Sequence, residues 1–441
     1  MFFLAMALIV YMPLHVFIAQ SASLVTGGLE VWKAAKDVIL FALAPFLLLV
    51  AYHRKLFSDK TFRVLAATIT MYVLIYGAFL FFDFDDDNYS AIVGTVYNTR
   101  LMLYLLLGYV VGSATIGKKY VQYALTAVVL IAAVVALFGV AQYFLPHDIL
   151  THVGYTLDRG VKPLFFIDDK PDLPRVMSTL KDPNSLGAYL IVPILLTGYA
   201  LVNRKANVDF FVREFKRSTL VIILVLLLSA LFLTFSRGAL LSLLLSIVVA
   251  VSLSVRDHAV RFARKYALSG LVIVAAVSGL VFLSWDSYLV QNYVFHADES
   301  TVLEDPNELR VSLGREAVER IGDQPIGYGP GSAGLVSINN PNGSFLTENY
   351  YLQLAYEVGW LGAILFVVVL LILALKLFSL AENSQLSSVL LASLTGYMFY
   401  SLLIHLWSNE AVALQWWSLC GVFIGVETRK SQVSCYNEIR N

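Results

Sequence analysis

Long apolar runs separated by short polar stretches occupy most of the chain. Runs of about 20 apolar residues have the length that crosses the hydrocarbon core of a bilayer. The pattern therefore predicts an all-α, polytopic integral membrane protein, with about 12 transmembrane helices in a single membrane domain over residues 1–441. The predicted segments are residues 2–19, 36–52, 63–82, 98–117, 121–145, 185–202, 219–235, 238–254, 266–284, 350–375, 387–405 and 411–426.

Two polar stretches, residues 146–184 and 285–349, are too long for simple connectors. The second is predicted to be partly helical, because apolar residues recur near one face of a helix that ends at Gly322. The glycine-rich stretch "PIGYGPGSAG" follows, and its backbone amides are able to approach a ligand closely. A helix on the membrane surface, with its arginines at lipid headgroups, is the alternative. The apolar positions are Leu309, Leu313, Val318 and Ile321.

Basic residues cluster in alternate short loops. If each segment crosses the membrane once, these clusters share one face, and the acidic stretch "DFDDDNYS" and both long loops lie on the other. Short loops rich in Lys and Arg stay in the cytoplasm. We therefore expect both termini in the cytoplasm and the loops 146–184 and 285–349 outside it. The clustered residues are Arg54, Lys55, Lys60, Arg63, Lys118, Lys119, Arg204, Lys205, Arg213, Lys216, Arg217, Arg256, Arg261, Arg264, Lys265, Arg429 and Lys430.

The composition supports a membrane protein. The chain of 441 residues is 59% hydrophobic and 14% charged, whereas soluble domains carry about 25% charged residues. The formal net charge of zero gives no indication of a nucleic-acid partner. The two cysteines form no CxxC pair. The first apolar run has no basic residues before it, so we interpret it as a membrane helix and not as a cleaved signal peptide.

Arg237 interrupts the apolar stretch "FLTFSRGALLSLLLS". A guanidinium in the middle of the bilayer costs roughly 2.5–3.5 kcal/mol on insertion scales. The predicted topology places Arg237 at the outer interface, at a turn between the seventh and eighth segments. It either extends its charged group into interfacial water or binds an anion such as a phosphate.

Further charged and polar residues precede the sixth segment in "DLPRVMSTLKDPNSLGAYL". Asp182 or Asn184 is able to cap the helix, with Pro183 near its first turn. Capping does not account for Arg175 and Lys181, which add two cations on the face where Arg237 is predicted.

The tenth segment begins with a polar stripe. Tyr350, Gln353 and Glu357 are spaced to share one helical face, directly after Glu348 and Asn349. Glu357 lies about two turns into the predicted membrane, where a carboxylate has to face the protein interior and find a partner. A structural arginine partner for Glu357 and an aromatic belt position for Tyr350 are the alternatives.

Four stretches between residues 175 and 366 resemble, in order, motifs of the O-antigen ligase and polymerase superfamily of bacterial envelope glycosyltransferases. They are "RVMSTLKDPNSLGAYL", "FSRGALLSL", "LRVSLGREAV…PIGYGPGS" and "ENYYLQLAYEVGWLGAILF". The resemblance implies integral-membrane transferases that use undecaprenyl-diphosphate-linked glycans outside the cytoplasmic membrane. It implies no nucleotide sugar, no cofactor and no required metal.

The resemblance also assigns roles to residues. Arg237, Arg310 and Arg315 match the arginines that hold the diphosphate. Members that act as lipid A–core ligases carry a His-Asn pair where this chain has Glu348-Asn349, so Glu348 favours a polymerase of O-antigen or exopolysaccharide that extends an acceptor glycan. We predict Glu348 and Arg237 as catalytic residues. The predicted substrate-binding residues are Arg175, Lys181, Asn184, Arg310, Arg315, Asn349, Tyr350, Gln353 and Glu357.

An O-antigen ligase of the same superfamily and a polytopic polysaccharide or solute transporter are the alternatives. Transporters usually carry internal repeats and polar groups at the midplane, and the halves of this chain show no convincing repeat. His405, near the predicted external end of its segment, is interpreted as an interior residue.

Overall fold

Helices make up most of the part of the molecule that the structure describes. The computed structural model describes residues 2–82, 88–114, 118–167, 170–254, 306–340 and 344–440. The helices are α1 Phe2–Tyr11, α2 His15–Thr26, α3 Leu29–His53, α4 Lys60–Phe82, α5 Asn88–Ala114, α6 Lys118–Gln142, α7 Pro183–Val202, α8 Arg204–Phe210, α9 Arg217–Leu233, α10 Arg237–Ser254, α11 Pro306–Asp323, α12 Tyr350–Leu380, α13 Gln385–Tyr400 and α14 Glu410–Arg440. The all-α prediction is confirmed.

Nine spans within the described residues are long and apolar enough to cross a membrane. They correspond to nine of the twelve predicted segments, and the first of them, Met6–Thr26, joins most of α1 to α2. The helices α9 and α13 match two further segments but contain only 17 and 16 residues. The remaining segment, 266–284, lies outside the described residues, as does part of the long loop 285–349.

A small antiparallel sheet lies within the loop 146–184. Strand β1 (Phe165–Ile167) pairs with β2 (Lys170–Arg175), and Phe165 lies opposite Arg175. The sequence pattern does not predict this hairpin, because "KPDLPR" contains two prolines and prolines argue against a strand. The hairpin matters for the site, because β2 ends at Arg175.

The helix α11 confirms the predicted amphipathic segment but corrects its apolar face. Ala317 and Ile321 are buried against the rest of the protein, whereas Leu309 is 42% and Val318 is 52% exposed. Residues four apart lie on one helical face, and Val318 follows Ala317 by about 100° around the helix axis. The narrow buried stripe therefore contains the predicted Ile321 together with Ala317, which the apolar pattern did not indicate.

The most extensive contact between helices joins α5 and α14. Both helices carry a Gly-x-x-x-Gly pattern, Gly108 with Gly112 and Gly421 with Gly425. Small residues at this spacing let two helix backbones approach closely in a membrane. A Cβ atom at Gly112 would lie 2.1 Å from the carbonyl oxygen of Val422. The contact therefore excludes any side chain at this position.

The helix ends define two faces of the bundle. The start of α7, the α9–α10 turn and the start of α12 lie together. Arg175 contacts Thr234 of the turn, Ser236 of the turn contacts Tyr400 at the end of α13, and the Tyr350 amide donates to the adjacent Ser401 carbonyl. We call this the site end. The helix α3 has 25 residues and so extends about 37 Å, which places His53 at the opposite end. Because the basic loops of the predicted topology lie there, we call it the basic end.

We expect Gly112→Ala to destabilise the protein by about 1–3 kcal/mol, because overpacking forces two backbones apart. The change is measured as a lower midpoint of thermal unfolding in detergent. Gly198→Ala is the matched control, since a Cβ at Gly198 meets nothing within 4 Å. Equal midpoints for the two variants would contradict the proposed close contact of α5 and α14.

Candidate functional site

Arg175 connects two separate segments at the site end. Its Nε donates to the carbonyl oxygen of Thr234 at 3.0 Å, and its Nη2 donates to Oδ1 of Asn184 at 3.1 Å. Both acceptors are neutral, so the charge of the guanidinium is held in place without being cancelled. Because β2 ends at Arg175, the hairpin of β1 and β2 places this cation at the turn between α9 and α10.

Asp182 caps α7, and it is one of the two residues that the sequence offered as the cap. Its Oδ1 accepts from the Ser185 amide at 2.7 Å, its Oδ2 accepts from the Ser185 hydroxyl at 2.6 Å, and Pro183 is the first residue of the helix. Asn184, the other candidate cap, instead accepts from Arg175.

Arg237 begins α10 directly after the turn Thr234–Phe235–Ser236. Phe235 has a φ of +49°, a conformation that side chains other than glycine rarely adopt. The Ser236 hydroxyl lies 2.7 Å from the Tyr400 hydroxyl. A Cβ atom at Gly238 would lie 2.4 Å from the Tyr400 ring. The backbone that carries Arg237 is thus fixed on both sides, and its side chain is half-buried.

Three guanidinium groups from distant parts of the chain lie close enough here for their charges to interact. Burial lowers the pKa of Arg175, and the positive charges of Arg310 and Arg237 lower it further, while Asp182 and Tyr400 oppose the shift. Arginine stays protonated in proteins. The cluster of Arg175, Arg237 and Arg310, which we call the arginine cluster, is therefore a concentrated positive charge that an anion would stabilise.

Glu348 lies beside the arginine cluster. The Glu348 Oε2 atom is 3.6 Å from Arg310 Nε, and both side chains remain partly accessible. Glu348 has a φ of +49°, and such strain is retained where the surroundings enforce it, often at functional sites. The sequence prediction that a carboxylate and several arginines share one place thus has a geometric basis.

The next residues of the polar stripe make contacts within the protein. Asn349 caps α12, because its Oδ1 accepts from the amides of Tyr351 and Leu352 at 2.9 and 3.1 Å. Tyr350 is buried and donates to Oδ1 of Asn98 at 3.1 Å. Their direct contact with a substrate remains a prediction, and their visible role is to hold the start of α12.

Glu357 is fully buried and accepts several hydrogen bonds. Asn98 Nδ2 donates to it at 2.6 Å and Gln353 Nε2 donates at 3.1 Å. The backbone amides of Gly331 and Ala333 also donate to this carboxylate. Glu357 therefore joins α5 and α12 to the glycine-rich loop. Its partners are amides, and not the arginine considered as the structural alternative.

The glycine-rich loop, residues 327–334, packs against a break in α12. Val358 and Gly359 leave the helical conformation, and Gly359 has a φ of +69°. The amides of Tyr328 and Gly329 donate to the carbonyls of Tyr356 and Glu357 at 2.8 and 2.9 Å. A broken helix frees carbonyl groups, and here the loop uses two of them. Hydrogen bonds to α12 therefore fix the backbone amides of Tyr328 and Gly329, whether or not a ligand approaches the loop.

A cavity of about 730 Å³ adjoins the arginine cluster. This volume lies within the range of roughly 300–1,000 Å³ typical of ligand sites. Asp182 lines the cavity and also faces Arg175, so the two sites share a wall. The polar residues of the lining are His15, Gln20, Glu30, Lys33, Tyr89, Ser90, Tyr97, Lys162, Lys181, Asp182, Ser408, Asn409 and Glu410.

Sequence reasoning missed the charged network at one wall of this cavity. The buried Arg100 Nη1 lies 2.9 Å from both Asp37 Oδ2 and Glu410 Oε1. Lys36 Nζ lies 2.9 Å from Glu410 Oε1, and His15 Nε2 lies 3.0 Å from Glu410 Oε2. The signal was present, because charged residues within apolar segments indicate a functional or paired site. The Lys36, Asp37 and Arg100 positions lie in such segments.

Two predicted cations lie outside the arginine cluster. Lys181 lines the cavity and stands near His405. Arg315 is exposed on α11, and among the described residues no ion pair or hydrogen bond joins it to the cluster. Arg320 on the same helix instead lies over the Phe345 ring at 4.6 Å.

His405 is a further residue near Glu348. Its Nε2 lies 3.2 Å from the hydroxyl of Thr347, which also donates to the Asn349 carbonyl at 2.8 Å. Burial, followed by the charge of Lys181, lowers the pKa of His405 to about 4. The ring is therefore neutral at physiological pH and is able to accept a proton. The hydrogen bond to Thr347 is compatible with the interior residue that the sequence suggested.

We expect Glu357→Gln to loosen the glycine-rich loop, because an amide cannot serve all the donors that the carboxylate accepts. An unsatisfied buried group costs about 1–3 kcal/mol, so amide hydrogen exchange in residues 327–334 should accelerate about tenfold. Glu319→Gln, on the exposed side of α11, is the control. Unchanged exchange in the Glu357 variant would show that the carboxylate does not hold this loop.

Comparison with known proteins gives one family. Residues 222–367 match the family model described as O-Antigen ligase. The matched range contains Arg237, Arg310 and Glu348, as well as the buried Glu357 and the glycine-rich loop. No curated protein matches the chain. Residues 222–367 are thus similar to the O-antigen ligase family, and the nine apolar spans among the described residues are those of a multi-pass membrane protein.

Proposed function

We propose that the chain is a metal-independent glycosyltransferase of the bacterial cytoplasmic membrane, which transfers a glycan from an undecaprenyl-diphosphate carrier to an acceptor sugar as a polysaccharide polymerase. The observation that carries this proposal is the meeting of Arg175, Arg237 and Arg310 beside Glu348. Guanidinium groups offer forked donors that suit phosphate oxygens. A lipid-linked diphosphate brings both the anion and an anchor in the membrane.

The site end faces away from the cytoplasm in this proposal. Basic loops remain in the cytoplasm, and the loops around His53, Lys119 and Arg429 lie at the basic end. The arginine cluster then lies at the outer surface of the membrane. A carrier lipid presented in that leaflet would place its diphosphate at the depth of the helix ends.

Glu348 is the proposed general base. It accepts the proton of an acceptor hydroxyl whose oxygen attacks the anomeric carbon of the donor glycan. The bond from that carbon to the diphosphate oxygen breaks, the configuration inverts, and undecaprenyl diphosphate leaves. The arginine cluster stabilises the negative charge that develops on the leaving diphosphate. Arg310 Nε, 3.6 Å from Glu348 Oε2, holds this carboxylate beside the arginine cluster.

The other predicted residues take two kinds of role. Lys181 and the adjoining cavity would receive the acceptor glycan, and exposed Arg315 would meet the carrier lipid as it enters. Asn184 orients Arg175. We infer that Asn349, Tyr350, Gln353 and Glu357 act as positioning residues, since hydrogen bonds within the protein use their polar atoms. These are Asn349 Oδ1, Tyr350 OH, Gln353 Nε2 and the Glu357 carboxylate.

O-antigen ligation is the second candidate, and one observation favours it. Ligase members carry a histidine at the position of Glu348, and in this chain the neutral His405 lies beside Thr347, one residue away. In that case His405, which belongs to another segment, would act as the base in place of the histidine that ligase members carry at position 348. The two candidates differ in which side chain is required and in whether the product grows by repeats.

We expect Glu348→Gln to abolish polymer in a complementation assay, because loss of a general base typically costs about 10²–10⁴-fold in rate. Polymer is measured as the ladder of chain lengths on a gel. His405→Asn is tested in parallel and should retain the ladder. An unchanged ladder with Glu348→Gln would remove Glu348 from the mechanism, and loss of activity only with His405→Asn would favour ligation.

Arg237→Lys keeps the charge but loses the forked donor. We expect at least about a tenfold weaker binding of undecaprenyl diphosphate to the purified protein, because one point charge cannot replace two parallel hydrogen bonds. Arg213→Lys, exposed at the basic end, is the matched control and should bind as the unmodified protein does. Equal binding by both variants would mean that Arg237 serves only the membrane interface.

A further inference from the structure

A second cavity lies at the basic end, remote from the arginine cluster. Its volume is about 550 Å³. It is formed where α3 ends and where α14 nears its end, so it lies between two membrane helices at their boundary with water. Every residue of its lining is polar, and none is acidic: His53, Arg54, Lys55, Ser58, Arg429 and Gln432.

The neighbouring carboxylates of the described residues make their contacts with other groups and not with the cations of this cavity. Asp59 accepts from the Phe62 amide at 2.8 Å and from the Tyr109 hydroxyl at 3.0 Å. Glu427 pairs with Lys430 at 2.5 Å. Among the described residues, no ion pair involves Arg54, Lys55 or Arg429. Three cations therefore share a cavity without an ion-pair partner among the described residues.

The backbone around the cavity is already ordered. Lys55 has a φ of +55°, and its amide donates to the Tyr52 carbonyl at 2.9 Å while the Ser58 amide donates to the Lys55 carbonyl at 3.1 Å. The turn thus holds Arg54, Lys55 and Ser58 on one short stretch. Less ordering entropy is lost when a ligand binds to a preformed site.

Apolar surface continues from the cavity toward the membrane. Leu48 and Leu49 of α3 are 57% and 59% exposed, and Phe57 in the turn is 40% exposed. A free phosphate would not use this surface, whereas the acyl chains of a lipid would cover it. Basic pockets between membrane helices on the cytoplasmic side bind the headgroups of anionic lipids.

We propose that this cavity binds the phosphate headgroup of an anionic phospholipid of the cytoplasmic leaflet. Arg54, Lys55 and Arg429 donate to the phosphate oxygens. The acyl chains lie along Leu48, Leu49 and Phe57. The site is separate from the proposed transfer reaction, since about 37 Å of helix α3 lies between the two ends.

The full-length protein in phosphatidylcholine nanodiscs is titrated with cardiolipin, and binding is followed by native mass spectrometry and by the midpoint of thermal unfolding. We expect retained cardiolipin and a raised midpoint. The double substitution R54Q/R429Q should weaken the apparent affinity about tenfold or more, because each basic residue near the surface contributes to the attraction. The variant should unfold at the unmodified midpoint in phosphatidylcholine alone, because Arg54 is exposed and Arg429 is only half-buried.

K119Q/R213Q is the matched control, because both residues are exposed at the basic end outside the cavity. It should keep the affinity of the unmodified protein. Equal weakening in both double variants would assign the effect to overall charge and overturn the site. Equal stabilisation by inorganic phosphate would overturn the assignment to a lipid, and an equal effect of added phosphatidylcholine would overturn the preference for anionic headgroups.

Discussion

The architecture of the site end depends on holding like charges together. Guanidinium groups repel one another and lose hydration when they are partly buried, so the protein has to fix each one from the backbone. Arg175 is held by a carbonyl and an amide oxygen, both neutral. If carboxylates accepted the hydrogen bonds of Arg175 instead, they would cancel the positive potential, and no attraction for a diphosphate would remain. Glu348 is the carboxylate paired with this cluster, and it is also the group to which we assign proton transfer.

The support around the cluster is organised in layers. Asp182 caps α7 and thereby holds the segment that runs from Arg175 to Asn184. Tyr400 holds the α9–α10 turn through Ser236. On the other side, the buried carboxylate of Glu357 gathers α5, α12 and the glycine-rich loop around a break in α12. Buried polar networks of this kind rigidify a site through the hydrogen bonds that their members form.

The sequence predicted local features well and long-range ones poorly. Membrane segments follow from the length of an apolar run, which is a local property, so the helices around Arg237 and Tyr350 appeared as expected. The presence of Arg175, Arg310 and Glu348 near one another rested on topology and family resemblance. The contact of Arg100 with Asp37 and Glu410 joins residues 63 and 310 positions apart, and no periodicity encodes such a pairing. The buried stripe of α11 was misjudged because burial depends on which neighbour the helix meets.

The glycine contacts of α5 and α14 have a mechanical consequence. Two backbones this close leave no free volume for sliding, and α14 carries Glu410 at one end and Arg429 near the other. The helices α5 and α14 therefore form a rigid pair within the bilayer. Any rearrangement at the site end has to occur in elements other than this pair.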